Sequence, residues 1–260
     1  MPTGHQLAQT GRMRGRYPGP SGISYSFGPG PLTPAIKAIM IANGLVFIVT
    51  FFQPILIQQF GVSPKRVFED YAVWELVTYM FVHGGPGHLL FNMLTLYLMG
   101  VELERMWGPR YFAKFYFACG IGAGVTQLLL GLLPGSIGDQ FYYTSTIGAS
   151  GAIFGVLLAY ALYFPTRPIL MFFLFPVPAK YFVMILGALA LLFAAGGGGG
   201  VAHTAHLGGL VTGYLYLKRP RLNLFSEIQY RYLKWRINRT RRKFDVYSGG
   251  RRDDINRRVH

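Results

Sequence analysis

The ten residues TIGASGAIFG, positions 146–155, set one hydroxyl, Ser150, among glycine and alanine at the front of an apolar run. The run continues as VLLAYALYF to residue 164 without a charge, so it reads as a helix that enters lipid. Small residues around a serine are ordinary packing material for membrane helices. The motif alone therefore decides the fold class but not the chemistry.

Outward from this run the rest of the chain is of the same kind. Hydrophobic residues make up 52% of the sequence and charged residues 13%, far from the balance of a soluble domain. Apolar stretches at 36–57, 88–106, 111–133, 149–164, 178–195 and 201–217 predict an all-α membrane protein with six transmembrane helices. The fourth and sixth stretches are short, which leaves room for a water-filled dent above them. Residues 34–219 are expected to form this six-span domain, with a disordered basic cytoplasmic tail at 1–33 and a second basic cytoplasmic or interfacial tail at 220–260. Between the first two spans lies a long external loop, 61–87, rich in aromatic residues and expected to be structured. Five consecutive glycines, 196–200, read as a hinge into the last span. A single cysteine, Cys119, excludes an intrachain disulfide.

The net charge is +15, and its placement argues against nucleic acid as a partner. Most of the excess follows Leu217, and more sits in the N-terminal arginines and near Arg105, Arg110, Arg167 and Lys180, whereas the opposite loops offer only Lys65 and Arg66. With six spans all of these fall on one side, so both termini are expected to be cytoplasmic and the tail to meet anionic lipid. Phe225, Ile228, Tyr232 and Trp235 recur at helical spacing among the arginines, as in a helix lying on a membrane surface.

Polar groups at membrane depth are costly and mark functional sites. Under this topology His88 and Asn92, Ser150, and His203 and His206 all fall in the first turns of spans that enter from outside. Ser150, His206, His88 and Asn92 therefore share one depth on three helices. A serine becomes a nucleophile when a neighbouring base takes its proton, and histidine titrates near neutrality. The tetrahedral oxyanion then needs donors. The Ser150 amide at a helix N-terminus can supply one, and His88 and Asn92, four apart on one helix face, can add two more. Gly148 and Gly151 allow close approach of a substrate backbone and tight packing of the fourth span against the sixth, where Gly209 and Gly213 offer a second small-residue surface. Phe154, one turn after Ser150, is the ring expected beneath His206. His203 alone reads as a packing or interface residue. Glu102 and Glu104 lie too far from Ser150 to serve it and read as partners for nearby arginines.

Rival chemistries lack their residues. No H-E-x-x-H zinc motif is present, no aspartate lies in a span, and Ala152 breaks the soluble-hydrolase G-x-S-x-G elbow. A Ser–His dyad remains, with no metal and no cofactor expected.

Four ordered segments resemble the rhomboid intramembrane serine proteases: WELVTYMFVHGGPGHLLFNM with its H-x-x-x-N, GVELERMWG, GASGAIFG and AHLGGLVTG. The resemblance implies Ser150 as nucleophile, His206 as base, and His88, Asn92 and the Ser150 amide as the oxyanion hole. It places Phe154 where an aromatic residue, often tyrosine, packs on the catalytic histidine. Trp74 and Thr78 match the loop pattern, whereas Glu75 stands where many members have arginine. The reading is a multi-pass serine endopeptidase of a bacterial inner (plasma) membrane that cuts transmembrane protein substrates near the outer face. The alternative is a catalytically inactive rhomboid-like scaffold that binds membrane helices.

Overall fold

The computed structural model of the chain describes residues 28–171, 174–195, 200–218 and 232–237. The expected disordered tail before residue 28, most of the expected basic interfacial tail after residue 219 and the expected hinge at glycines 196–199 lie outside the described residues.

Helix α1 (Pro34–Phe52) starts with proline in its first turn, where the missing N–H costs nothing. It stops at Phe52 because Pro54 cannot continue the ladder, so the expected run to residue 57 is broken and α2 (Ile55–Phe60) follows as a separate turn. The 61–87 loop folds as α3 (Pro64–Glu69), α4 (Glu75–Thr78) and a 3-10 turn, Tyr79–Phe81. Helix α5 (Pro86–Thr95) runs through a π-helical turn, Leu96–Gly100, into α6 (Val101–Trp107). After Gly108, at φ +79, α7 (Pro109–Gly131) is the longest helix among the described residues. α8 (Ser136–Tyr143) leads to α9 (Ser150–Tyr163). α10 (Ala179–Ala195) and α11 (Gly200–Lys218) complete the order.

The all-α expectation needs one correction. Strands β1 (Pro168–Met171) and β2 (Phe175–Pro178) form an antiparallel hairpin between α9 and α10, with Ile169 opposite Val177. Pro165, Pro168, Pro176 and Pro178 make this stretch unfit for helix, and extended backbone is the remaining option.

By length and composition, α1 and α7 can each cross a membrane, while α9 and α10 are shorter apolar helices. At 14 residues α9 is roughly 21 Å long. The 23 residues of α7 reach roughly 34 Å, beyond a hydrocarbon core of about 30 Å. The N-terminus of α9, with Ser150, can thus lie below the level its neighbour reaches.

α11 packs against α7, α9 and α10, and α7 packs against α9. Glycine sets the α9–α11 approach: Gly209 lies directly on the Gly151 carbonyl, and a Cβ on Gly213 would stand 3.1 Å from Gly155 Cα. Helix backbones that meet without side chains between them maximise dispersion contact, the main attraction available in lipid. Gly148 has no part in this seam and turns toward His88 instead.

At the opposite end, Glu104 does not pair with an arginine among the described residues, contrary to expectation. Its buried carboxylate accepts from Thr33 Oγ1 (2.5 Å) and from the amides of Ala35 (2.8 Å) and Ile36 (2.9 Å), capping the start of α1 from another helix. Glu102 does meet the expected kind of partner, Arg167.

Candidate active site

Ser150 opens α9, and its Oγ lies 2.8 Å from His206 Nε2 on α11. The tight glycine seam between the two helices is what brings these side chains within hydrogen-bond reach. The Phe154 ring lies flat on His206, with centroids 4.2 Å apart and planes 6° from parallel. Among the described residues no carboxylate forms an ion pair with His206. The His203 ring stands edge-on to His206 at 5.7 Å and 83°.

The turn before Ser150 is built around Gly148, whose φ of +112° is rarely adopted by residues with a side chain. A Cβ there would stand 2.7 Å from both Cε1 and Nε2 of His88 and 3.9 Å from Asn92 Nδ2. The two α5 side chains therefore converge on the backbone just ahead of the serine. Gly84 N–H donates to His88 Nδ1 at 3.4 Å, which assigns the ring proton to Nε2, the atom facing Gly148. Asn92 Nδ2 is buried without a hydrogen-bond partner among the described residues. A buried amide donor left open is costly and suits a site that is filled by an acceptor only during reaction. The first ladder bond of α9 runs from the Ile153 amide to the Ala149 carbonyl, so the amides of Ser150, Gly151 and Ala152 lie ahead of it.

The 61–87 loop holds this turn at two points, which the sequence pattern does not foretell. Val62 and Thr146 exchange both backbone hydrogen bonds, each 2.9 Å, and the Tyr79 carbonyl accepts from the Gly148 amide at 2.8 Å. The Tyr79 hydroxyl donates to the Gly120 carbonyl at 2.6 Å and ties the same turn to α7. Backbone pairing leaves no mark in residue type; Tyr79 stands out in the sequence only as one aromatic among several.

The loop is itself braced. Buried Glu75 accepts the Ser63 amide at 3.0 Å and faces Arg66 Nε at 3.1 Å, in a charge contact whose angle is too poor for a hydrogen bond. Burial raises the Glu75 carboxyl above its ordinary value, opposed by the Ser63 hydrogen bond and by Arg66. The Thr78 hydroxyl donates to the Phe60 carbonyl at 3.0 Å. His83 packs edge-on to His88 with ring centroids 4.9 Å apart. Burial first, then the neighbouring His88, pushes the His83 imidazole down to about 4, so it is neutral near pH 7.

Residues 70–219 match the family model for the Rhomboid domain. The chain is 28% identical over 200 residues to RHOMBOID-like protein 12, mitochondrial, of Arabidopsis thaliana, covering 73% of this chain and 59% of that protein. It is 30% identical over 155 residues to the Rhomboid protease GluP of Bacillus subtilis, covering 60% and 27% of the two chains. It is 36% identical over 139 residues to Rhomboid protein 1, mitochondrial, of Saccharomyces cerevisiae, covering 52% and 38%. The chain spans about half the length of the curated relatives it matches.

Proposed function

The chain belongs to the rhomboid family, and from that premise we propose that it is a six-span intramembrane serine endopeptidase acting on transmembrane protein substrates near the outer membrane face. What supports this most is the 2.8 Å contact between Ser150 Oγ and His206 Nε2 beneath the Phe154 ring. One relative is named a rhomboid protease, which agrees with the same reading.

In this proposal Ser150 Oγ attacks the scissile carbonyl while His206 Nε2 takes its proton and passes it to the leaving amine. A water then attacks the acyl-serine, with His206 as base again, and releases the second product. The oxyanion formed in each half is met by Asn92 Nδ2, His88 Nε2–H and the Ser150 amide. Among the described residues no acid orients His206, so the flat contact with Phe154 takes that part. Gly148 keeps the approach to the hydroxyl free of a side chain, whereas Gly151, expected to do the same, serves packing instead: a Cβ there would meet Ala123 Cβ at 2.6 Å and the Ala205 carbonyl at 3.5 Å. The proposal keeps a bacterial inner membrane as the site, and puts both termini on its cytoplasmic side from the excess of basic residues in the segments assigned there.

The test is cleavage of a single-span substrate in proteoliposomes, with fragments mapped by mass spectrometry. The expected result is a cut near the outer end of the substrate span by the wild-type protein and none by Ser150→Ala of equal thermal stability. Binding of the span without cleavage by either protein would favour the inactive scaffold.

A further inference from the structure

The Ser150–His206 contact leaves the base with one unexplained neighbour. We infer that His203 is a positioning residue for His206, held in turn by Phe193 of α10; the inference rests on the dyad reading above.

The two histidines are three residues apart on α11 and share a helix face. The Phe154 ring is within 6° of parallel to His206. Flat stacking fixes the tilt of a ring but resists sliding and in-plane rotation weakly. The motions that stacking leaves soft are those an edge contact opposes, and His203 stands at 83° to His206 with centroids 5.7 Å apart. His203 is secured from its own side by Phe193, stacked at 5.1 Å and 28°. Phe193 is 47% exposed, and among the described residues His203 is its only ring contact. A train of four rings thus links α10 through α11 to α9.

The need for such support follows from the order of bonds in the proposed reaction. While Ser150 is free, its hydroxyl anchors His206 Nε2. Once the Ser150 oxygen is acylated, the Oγ–H bond no longer exists and that anchor is gone. Among the described residues the ring contacts are what then keep Nε2 aimed at the incoming water. A weakened edge contact should therefore slow turnover, and hydrolysis of the acyl-serine above all, while leaving substrate binding unchanged.

The experiment measures kcat, KM and the pre-steady-state burst on a soluble ester substrate for His203→Ala, Phe193→Ala, the double variant and His203→Phe. Thermal midpoints are recorded alongside. An edge-to-face pair contributes on the order of 0.5–1.5 kcal/mol, so His203→Ala should lose about 2- to 10-fold in kcat, with KM falling alongside so that kcat/KM holds, and show a larger burst. Phe193→Ala should move the same way without touching His206, the double variant should fall short of the product of the two, and His203→Phe should restore the rate. Wild-type kcat in His203→Ala, or a loss of kcat/KM with no larger burst and a lowered thermal midpoint, would overturn the role. Ser150→Ala run in parallel separates the two claims. If it turns over, the dyad itself fails; if it is dead while His203→Ala is fully active, only the role of His203 is lost.

Discussion

Substituting Gly148 by alanine perturbs the site without removing any functional group. Its φ of +112° costs a residue with a side chain about 1–3 kcal/mol. The new Cβ would stand 2.7 Å from His88 Nε2, whereas unstrained contacts begin near 3.5 Å, so the imidazole must retreat by roughly 0.8 Å. A misplacement of about 1 Å at a reacting centre can cost ~10²-fold in rate. Gly135 provides the control, since its φ is +82° and a Cβ there would meet nothing within 4 Å. Both variants are expected to lose similar thermal stability, and only Gly148→Ala to lose turnover, by about 10²-fold. The assay is kcat on a single-span substrate in matched detergent with thermal unfolding of each protein. Equal turnover by the two variants would refute the convergence of His88 on the backbone ahead of Ser150.

His88→Ala and Asn92→Ala should each slow turnover by ~10²–10³-fold and leave a residue of activity, because the Ser150 amide still donates; steady-state kinetics checks both. Gly209→Ala would drive a methyl into the Gly151 carbonyl and should cost at least the ~1–3 kcal/mol of an overpacked core, whereas Gly187→Ala meets only Leu210 Cδ1 at 3.5 Å and should be tolerated; thermal midpoints decide. Glu75 carries a pH dependence with a definite sign. Its folded-state pKa is raised, so the stability it contributes is fully present below its ordinary value of 4.5 and is lost as pH rises through the folded value. Wild-type protein should therefore lose stability relative to Glu75→Gln between pH 4 and pH 7, and a constant difference in midpoint would contradict the burial argument.

The helices were legible because apolar length is the signal that lipid imposes. The expected stretch 149–164 differs by one residue at each end from α9, and 178–195 by one residue from α10. What escaped was set by backbone chemistry. Pro54 ends α1 early, the prolines between Pro165 and Pro178 produce a hairpin instead of a plain connection, and the π-turn at Leu96–Gly100 has no residue signature. The proximity of Ser150, His206, His88 and Asn92 could be anticipated from the expected common depth, since under the proposed topology the first turns of three helices fall level. The turn that joins them could not. Its hold by Val62 and Tyr79 runs through main-chain atoms, and its dependence on Gly148 comes from a positive φ rather than from helix packing. Glu75 is the reverse case: a charge that looks out of place in the sequence is buried against the Ser63 amide and Arg66.

The central claim, that Ser150 is a nucleophile activated by His206, is tested most directly by mapping a fluorophosphonate adduct at peptide level. The expected result is stoichiometric, time-dependent modification of Ser150 in the wild-type protein, with the adduct nearly abolished in His206→Ala of unchanged thermal stability. No adduct on Ser150 in folded wild-type protein, or equal labelling of Ser150 in the His206→Ala variant, would contradict it.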